Sequence, residues 1–120
     1  MKYMIMVFGD RSALDDRSPE WIDRLIRFMH QIDRDLESAG ELVFQQGLAD
    51  PSEARTVAPS TTRMTATAGS AIAPADALAG FWIVDVADEA RAVEIAASIA
   101  AVTEAPVEVR ACMDAPPERV

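Results

Sequence analysis

Apolar residues along the chain repeat one pattern: a short apolar run, a longer segment with apolar positions at helical spacing, then another short run. The first copy opens at Lys2–Phe8, where Tyr3-Met4-Ile5-Met6-Val7-Phe8 is unbroken and stops at Gly9-Asp10. A run of this kind predicts a strand buried on both faces. The polar stretch Gly9–Arg17 reads as a loop. Ser18-Pro19 predicts a helix start, because serine caps free N–H groups and proline at the first position forfeits no helical bond. Ile22, Leu25, Ile26, Met29, Ile32 and Leu36 then fall on one stripe of a helix over Pro19–Ala39, which Gly40 ends as a left-handed cap. Glu41–Ala49 predicts the second strand.

The second copy runs through a strand at Gly80–Val86, a helix at Asp88–Ile99 and an alternating strand at Val107–Met113. The helix has Ala92, Ile95, Ala96 and Ile99 on its apolar face. In the last strand Val107, Val109, Ala111 and Met113 share one face, and Glu108, Arg110 and Cys112 share the other. Between the copies, Arg55-Thr56-Val57 and Arg63-Met64-Thr65 predict a small hairpin around Pro59-Ser60, and Ala68–Ala79 reads as an ordered loop with at most one helical turn. Two split βαβ units of this length predict an α+β, ferredoxin-like fold with an antiparallel sheet and both helices on one face. The strands are apolar on both faces, so the uncovered face predicts a second copy of the chain as its cover, a homodimer. One domain is expected over residues 1–113, with 114–120 as a tail carrying Pro116-Pro117.

Composition narrows the partners. The chain has 120 residues, a net charge of −9 and a pI near 4.4, which disfavours nucleic acid and anionic membranes, since both need a basic face. Cys112 is the one cysteine and His30 the one histidine. A disulfide within the chain and a multi-histidine metal site are therefore excluded, and neither cofactor nor metal is expected. The apolar stretch at the start is too short for a signal segment and no run approaches a membrane span, so a cytoplasmic location is expected. The six methionines read as core filler.

Several segments resemble a known family. Lys2–Asp10, Gly40-Glu41-Leu42-Val43, Gly47-Leu48-Ala49-Asp50, Gly80-Phe81-Trp82-Ile83-Val84-Asp85, Ala92-Val93-Glu94-Ile95-Ala96 and Val107-Glu108-Val109-Arg110 are similar, in this order, to the YCII-related, or DGPF-domain, family over residues 1–113. The resemblance implies a ferredoxin-like subunit pairing into a dimeric α+β barrel, in a superfamily that includes cofactor-free isomerases, dehalogenases and small monooxygenases. Some members are encoded near alternative sigma factors, which implies an accessory role in transcription. The family's Thr-Asp-Gly-Pro-Phe loop stands here as Thr67-Ala68-Gly69-Ser70-Ala71, so the acid, the proline and the aromatic are lost. The histidine that relatives often carry on the first helix falls at Met29, one residue before His30.

Four groups of residues are candidates for chemistry. His30 and Asp33 lie three apart on the first helix, and Asp33 falls inside the apolar stripe, where an unpaired carboxylate is costly. As a pair they suit acid–base catalysis near neutral pH; the plainer reading is a solvent-edge histidine beside a rim aspartate. Glu108 and Arg110 share a strand face and suit the binding of a carboxylic acid or enol, or else form a structural ion pair. Tyr3 and Trp82 suit the wall of an aromatic ligand's pocket, or else the core. Ser70 stands in the altered loop as a further binding candidate, without the elbow of a serine nucleophile. Three functions remain: a protein binding a small acidic or aromatic molecule in a pocket near Trp82 and Arg110; a cofactor-free lyase or isomerase using His30 and Asp33 with Arg110 as anion anchor; and a noncatalytic accessory of a transcription regulator.

Overall fold

The computed structural model describes residues 1–59 and 65–118. In chain order it has β1 (Lys2–Phe8), α1 (Pro19–Ser38), β2 (Leu42–Gly47), β3 (Arg55–Ala58), β4 (Thr65–Ala68), β5 (Leu78–Asp85), α2 (Glu89–Thr103) and β6 (Val107–Ala111), with 3-10 turns at Arg11–Leu14, Pro51–Glu53 and Pro74–Asp76. The main sheet has the order β2-β5-β1-β6, and every neighbouring pair is antiparallel. This is the ferredoxin-like arrangement that the doubled pattern predicts.

Local chemistry sets the helix ends. The Ser18 hydroxyl accepts from the Trp21 N–H at 3.1 Å ahead of Pro19, and Asp88 accepts from the Arg91 N–H at 3.0 Å. At the far end of α1, Gly40 takes φ +71° and the Glu41 N–H donates back to the Leu36 carbonyl, which satisfies a carbonyl the helix leaves open. Glu41 then receives the Nε and Nη2 of Arg91 on its two carboxylate oxygens, at 2.9 and 2.8 Å, strapping the start of β2 to α2. That pairing holds the Glu41 carboxyl below the usual carboxylate range and pushes the Arg91 guanidinium up.

Both helices pack on one face of the sheet. Ile32 and Leu36 of α1 and Ala92, Ile95, Ala96 and Ile99 of α2 meet Tyr3, Ile5, Trp82 and Val84. Ile5, Val84 and Ile99 are sealed from solvent. The small side chains of α2 let its backbone lie close to the strands. Register places Met4 and Met6 of β1, Phe81 and Ile83 of β5 and Phe44 of β2 on the opposite face, with Glu108 and Arg110 of β6. Phe44 and Phe81 approach with ring centroids 6.0 Å apart, yet Phe44 remains 51% exposed. The open face is therefore as apolar as the sequence indicates.

The hairpin departs from its expected register. β3 pairs with Thr65–Ala68, so Thr67 and Ala68 belong to a strand rather than a loop; Arg63 and Met64 of the expected partner lie outside the described residues. All of β4 and most of β3 are exposed, so no buried face imposes the alternation by which a strand is read. α2 continues to Thr103, beyond the expected Ile99, and β5 starts at Leu78, because the backbone of Leu78 pairs with Phe8 whatever its side chain. Met6 packs as expected, whereas Met1 and Met113 are exposed at strand ends and Met64 lies outside the described residues. Among the described residues no helix is long and apolar enough to cross a membrane.

Candidate ligand-binding cleft

A cleft of about 430 Å³ opens at the end of the sheet where β1 and β2 finish and β5 and β6 begin. Val7, Leu25, Met29, Leu48, Pro51 and Pro106 supply apolar walls. The close strand ends shape this edge. A side chain at Gly80 would meet the Gln46 carbonyl at 3.1 Å and the Gly47 Cα at 3.3 Å, so glycine allows β5 to close on the end of β2. The Leu48 N–H then donates to the Ala79 carbonyl and fixes the loop that enters the cleft.

Charged groups ring the mouth. The Asp50 carboxylate accepts from the Arg11 N–H at 2.9 Å and from the Ser52 N–H and hydroxyl at 3.1 and 2.6 Å. These bonds, the Ser52 hydroxyl foremost, hold the Asp50 carboxyl below its ordinary range. Asp10 accepts from the Ser12 hydroxyl at 2.6 Å. On the opposite wall Glu104 accepts from Arg17 Nη1 at 3.0 Å and from Trp21 Nε1 at 3.1 Å, which lowers its carboxyl likewise. The Arg17 guanidinium stands 4.3 Å from the centroid of the Trp21 ring. Each carboxylate of the mouth thus already holds donors, whereas the Arg11 guanidinium makes no ion pair or side-chain hydrogen bond among the described residues. No group of three or more potential metal ligands gathers among the described residues.

The residues singled out from sequence lie elsewhere, and none of the seven lines this cleft. His30 is exposed on α1 beside Arg27, Gln31 and Arg34. No hydrogen bond or ion pair joins it to Asp33, whose Oδ1 instead accepts from Trp82 Nε1 at 2.8 Å. The carboxylate inside the apolar stripe is therefore satisfied across the core, from the sheet. Tyr3 and Trp82 are buried in the core beneath the helices. Glu108 and Arg110 form an ion pair at 2.8 Å on the open face. Trp82 and Arg110 thus occupy opposite faces of the sheet, and the expectation that they border one pocket is corrected on that ground. Ser70 donates to the Ile72 carbonyl at 2.6 Å beside the main cleft. The threonine and glycine surviving in the altered loop close the hairpin base. Thr67 donates to the Thr56 carbonyl, Thr56 donates to the Gly69 carbonyl, and Gly69 takes φ +97°.

Sequence reasoning missed Arg11, Arg17, Trp21 and Glu104. Two signals were present. Arg17 and Trp21 are four apart across a helix start, the spacing at which side chains meet. Thr103-Glu104-Ala105-Pro106 ends a helix with neither glycine nor asparagine. Asp10 and Asp50 do stand in segments that carry the family resemblance.

The fold and the cleft define a ferredoxin-like α+β protein with an apolar recess at one end of its sheet. The chain belongs to the YCII-related domain family, whose model matches residues 1–115. No curated protein matches it.

Proposed function

We propose that this YCII-related protein binds a small organic acid in the cleft at the end of the sheet. The observation that carries this reading is a recess of about 430 Å³ with apolar walls and a polar mouth in which, among the described residues, Arg11 is the charged group without a side-chain partner. Its volume suits a small ligand. Arginine's planar fork matches a carboxylate, and Leu25, Met29 and Leu48 take the apolar body. His30 and Asp33 carry no step in this reading, because neither lines the recess.

Two copies pair through their open sheet faces. Phe44, Phe81, Met4 and Ile83 share that face and keep part of their apolar surface open, which a second, identical sheet covers at the usual spacing of ~10 Å. Phe44→Glu then yields a monomer in analytical ultracentrifugation while retaining native circular dichroism. A wild-type chain that sediments as a monomer at high micromolar concentration refutes the pairing and leaves the face to another protein.

The ligand reading is tested by thermal shift with benzoate, phenylacetate and hexanoate against benzylamine and hexylamine. At ten times its Kd an acid adds about 1.4 kcal/mol of stability. At least one acid raises Tm, the amines do not, and Arg11→Ala removes the response. A response to amines alone, or to no compound, overturns the proposal.

A further inference from the structure

Glu104 is the one non-glycine residue with positive φ among the described residues, at +56°. It sits at the end of α2, where the Glu104 N–H donates to the Ala100 carbonyl at 2.8 Å. Glycine adopts this left-handed conformation freely, and an L side chain does so at a cost. Strain kept at one position asks what the side chain gives in return. Here the carboxylate spans to the start of α1, where it accepts from Arg17 and from the indole of Trp21. The indole is held at its edge by Glu104 and on its face by the Arg17 guanidinium. All three side chains line the cleft.

We infer that Glu104 is a positioning residue that holds Arg17 stacked on Trp21 as a planar wall, so that the cleft selects planar aromatic acids over aliphatic acids of equal size. The inference rests on the acid-binding reading above and adds to it the class of acid. Both wall groups are planar, and a held indole and guanidinium present π and cationic surface without having to be ordered when the ligand arrives. Arg17 is already neutralised by Glu104, so it contributes its plane more than its charge, and the ligand's carboxylate is left to Arg11.

The test compares benzoate with cyclohexanecarboxylate by calorimetry, and follows 1-naphthoate by tryptophan emission, for which Trp21 is the cleft's reporter. The wild-type protein binds benzoate at least fivefold tighter than cyclohexanecarboxylate, and 1-naphthoate changes its emission. Glu104→Gly relieves the left-handed backbone, so its Tm stays level or rises, yet benzoate binding weakens about tenfold, the loss of a charge-assisted hydrogen bond, and the aromatic preference disappears. Glu104→Asn, which tolerates the same backbone but is one methylene shorter, behaves like the glycine variant. Equal affinities for the two acids in the wild-type protein, or an undiminished preference in both variants, overturns this inference while leaving acid binding in place. Failure of the wild-type protein to bind any of the three acids overturns the acid-binding reading and this one with it.

Discussion

One sheet presents two apolar faces, and they have different fates. Beneath the helices Ile5 and Val84 are sealed, and Asp33, a carboxylate within the apolar stripe of α1, is met by the Trp82 indole at 2.8 Å. On the other side Phe44 is half exposed, its ring centroid 6.0 Å from that of Phe81, and the charged pair of β6 lies in solvent, with Arg110 73% exposed. Side-chain chemistry along β1 is apolar on both sides, Tyr3-Ile5-Val7 against Met4-Met6. Composition therefore does not separate the faces; what lies over them does. Apolar surface stabilises the fold only once water is removed from it, so the covered face supports the subunit, whereas the open face adds stability only where something covers it.

This contrast is broken most sharply by truncation on the covered side. Ile5→Ala, at a fully buried site, destabilises the subunit by about 3 kcal/mol, measured by chemical denaturation. Phe44→Ala changes the unfolding free energy of the dilute monomer by less than about 1 kcal/mol. Equal losses in the two variants at a concentration where the chain is monomeric would show that the open face is part of the subunit's core.

Trp82→Phe keeps an aromatic ring but a smaller one, and removes the indole donor from half-buried Asp33. The unmet carboxylate costs about 1–2 kcal/mol on top of the packing lost at this core site, and Asp33→Asn in the same background recovers part of the first loss, as a double-mutant cycle reads. Arg91→Ala removes two charge-assisted bonds to Glu41, which is only 17% exposed, and costs about 1–2 kcal/mol. Because Glu41 ionises more readily in the folded chain than in the unfolded one, its contribution is complete above the unfolded carboxyl's pKa of about 4.3 and fades as pH falls through the lower folded value. Wild type and Arg91→Ala accordingly converge in stability on acidification below about pH 4, which a Tm series across pH 3 to pH 7 checks. The smallest effect belongs to the open face. Arg110→Ala shifts the monomer by less than about 0.5 kcal/mol, because its pair with Glu108 is solvated. A larger loss, measured in the dimer alone, would place that pair in the interface.

Much of the fold was legible because periodicity follows from which faces are buried. The apolar run of β1, the stripe of α1 with its Ser18-Pro19 start and Gly40 stop, and the alternation of β6 all have a face to satisfy. The β3–β4 hairpin was misread in register because both its faces meet solvent and nothing in its Thr and Ala residues records a pairing. The cleft was hardest to read. Arg11, Arg17, Trp21 and Glu104 come from three segments, with Arg17 and Glu104 alone 87 residues apart in sequence, and each by itself resembles an ordinary loop or helix-end residue. Asp33 shows the same limit: its place in the apolar stripe announced a partner, but the neighbour suggested along the helix was His30, and the donor arrived from a strand 49 residues away.

By itself the sequence determined the order of strands and helices, the helix ends and the presence of apolar side chains on both faces of the sheet, because these depend on residues close together in the chain. Only the tertiary structure decided which face the helices cover, that Trp82 satisfies Asp33, and that a left-handed Glu104 reaches back to the start of α1. Those outcomes depend on distances between segments that are remote in the chain, and side-chain periodicity carries no record of such distances.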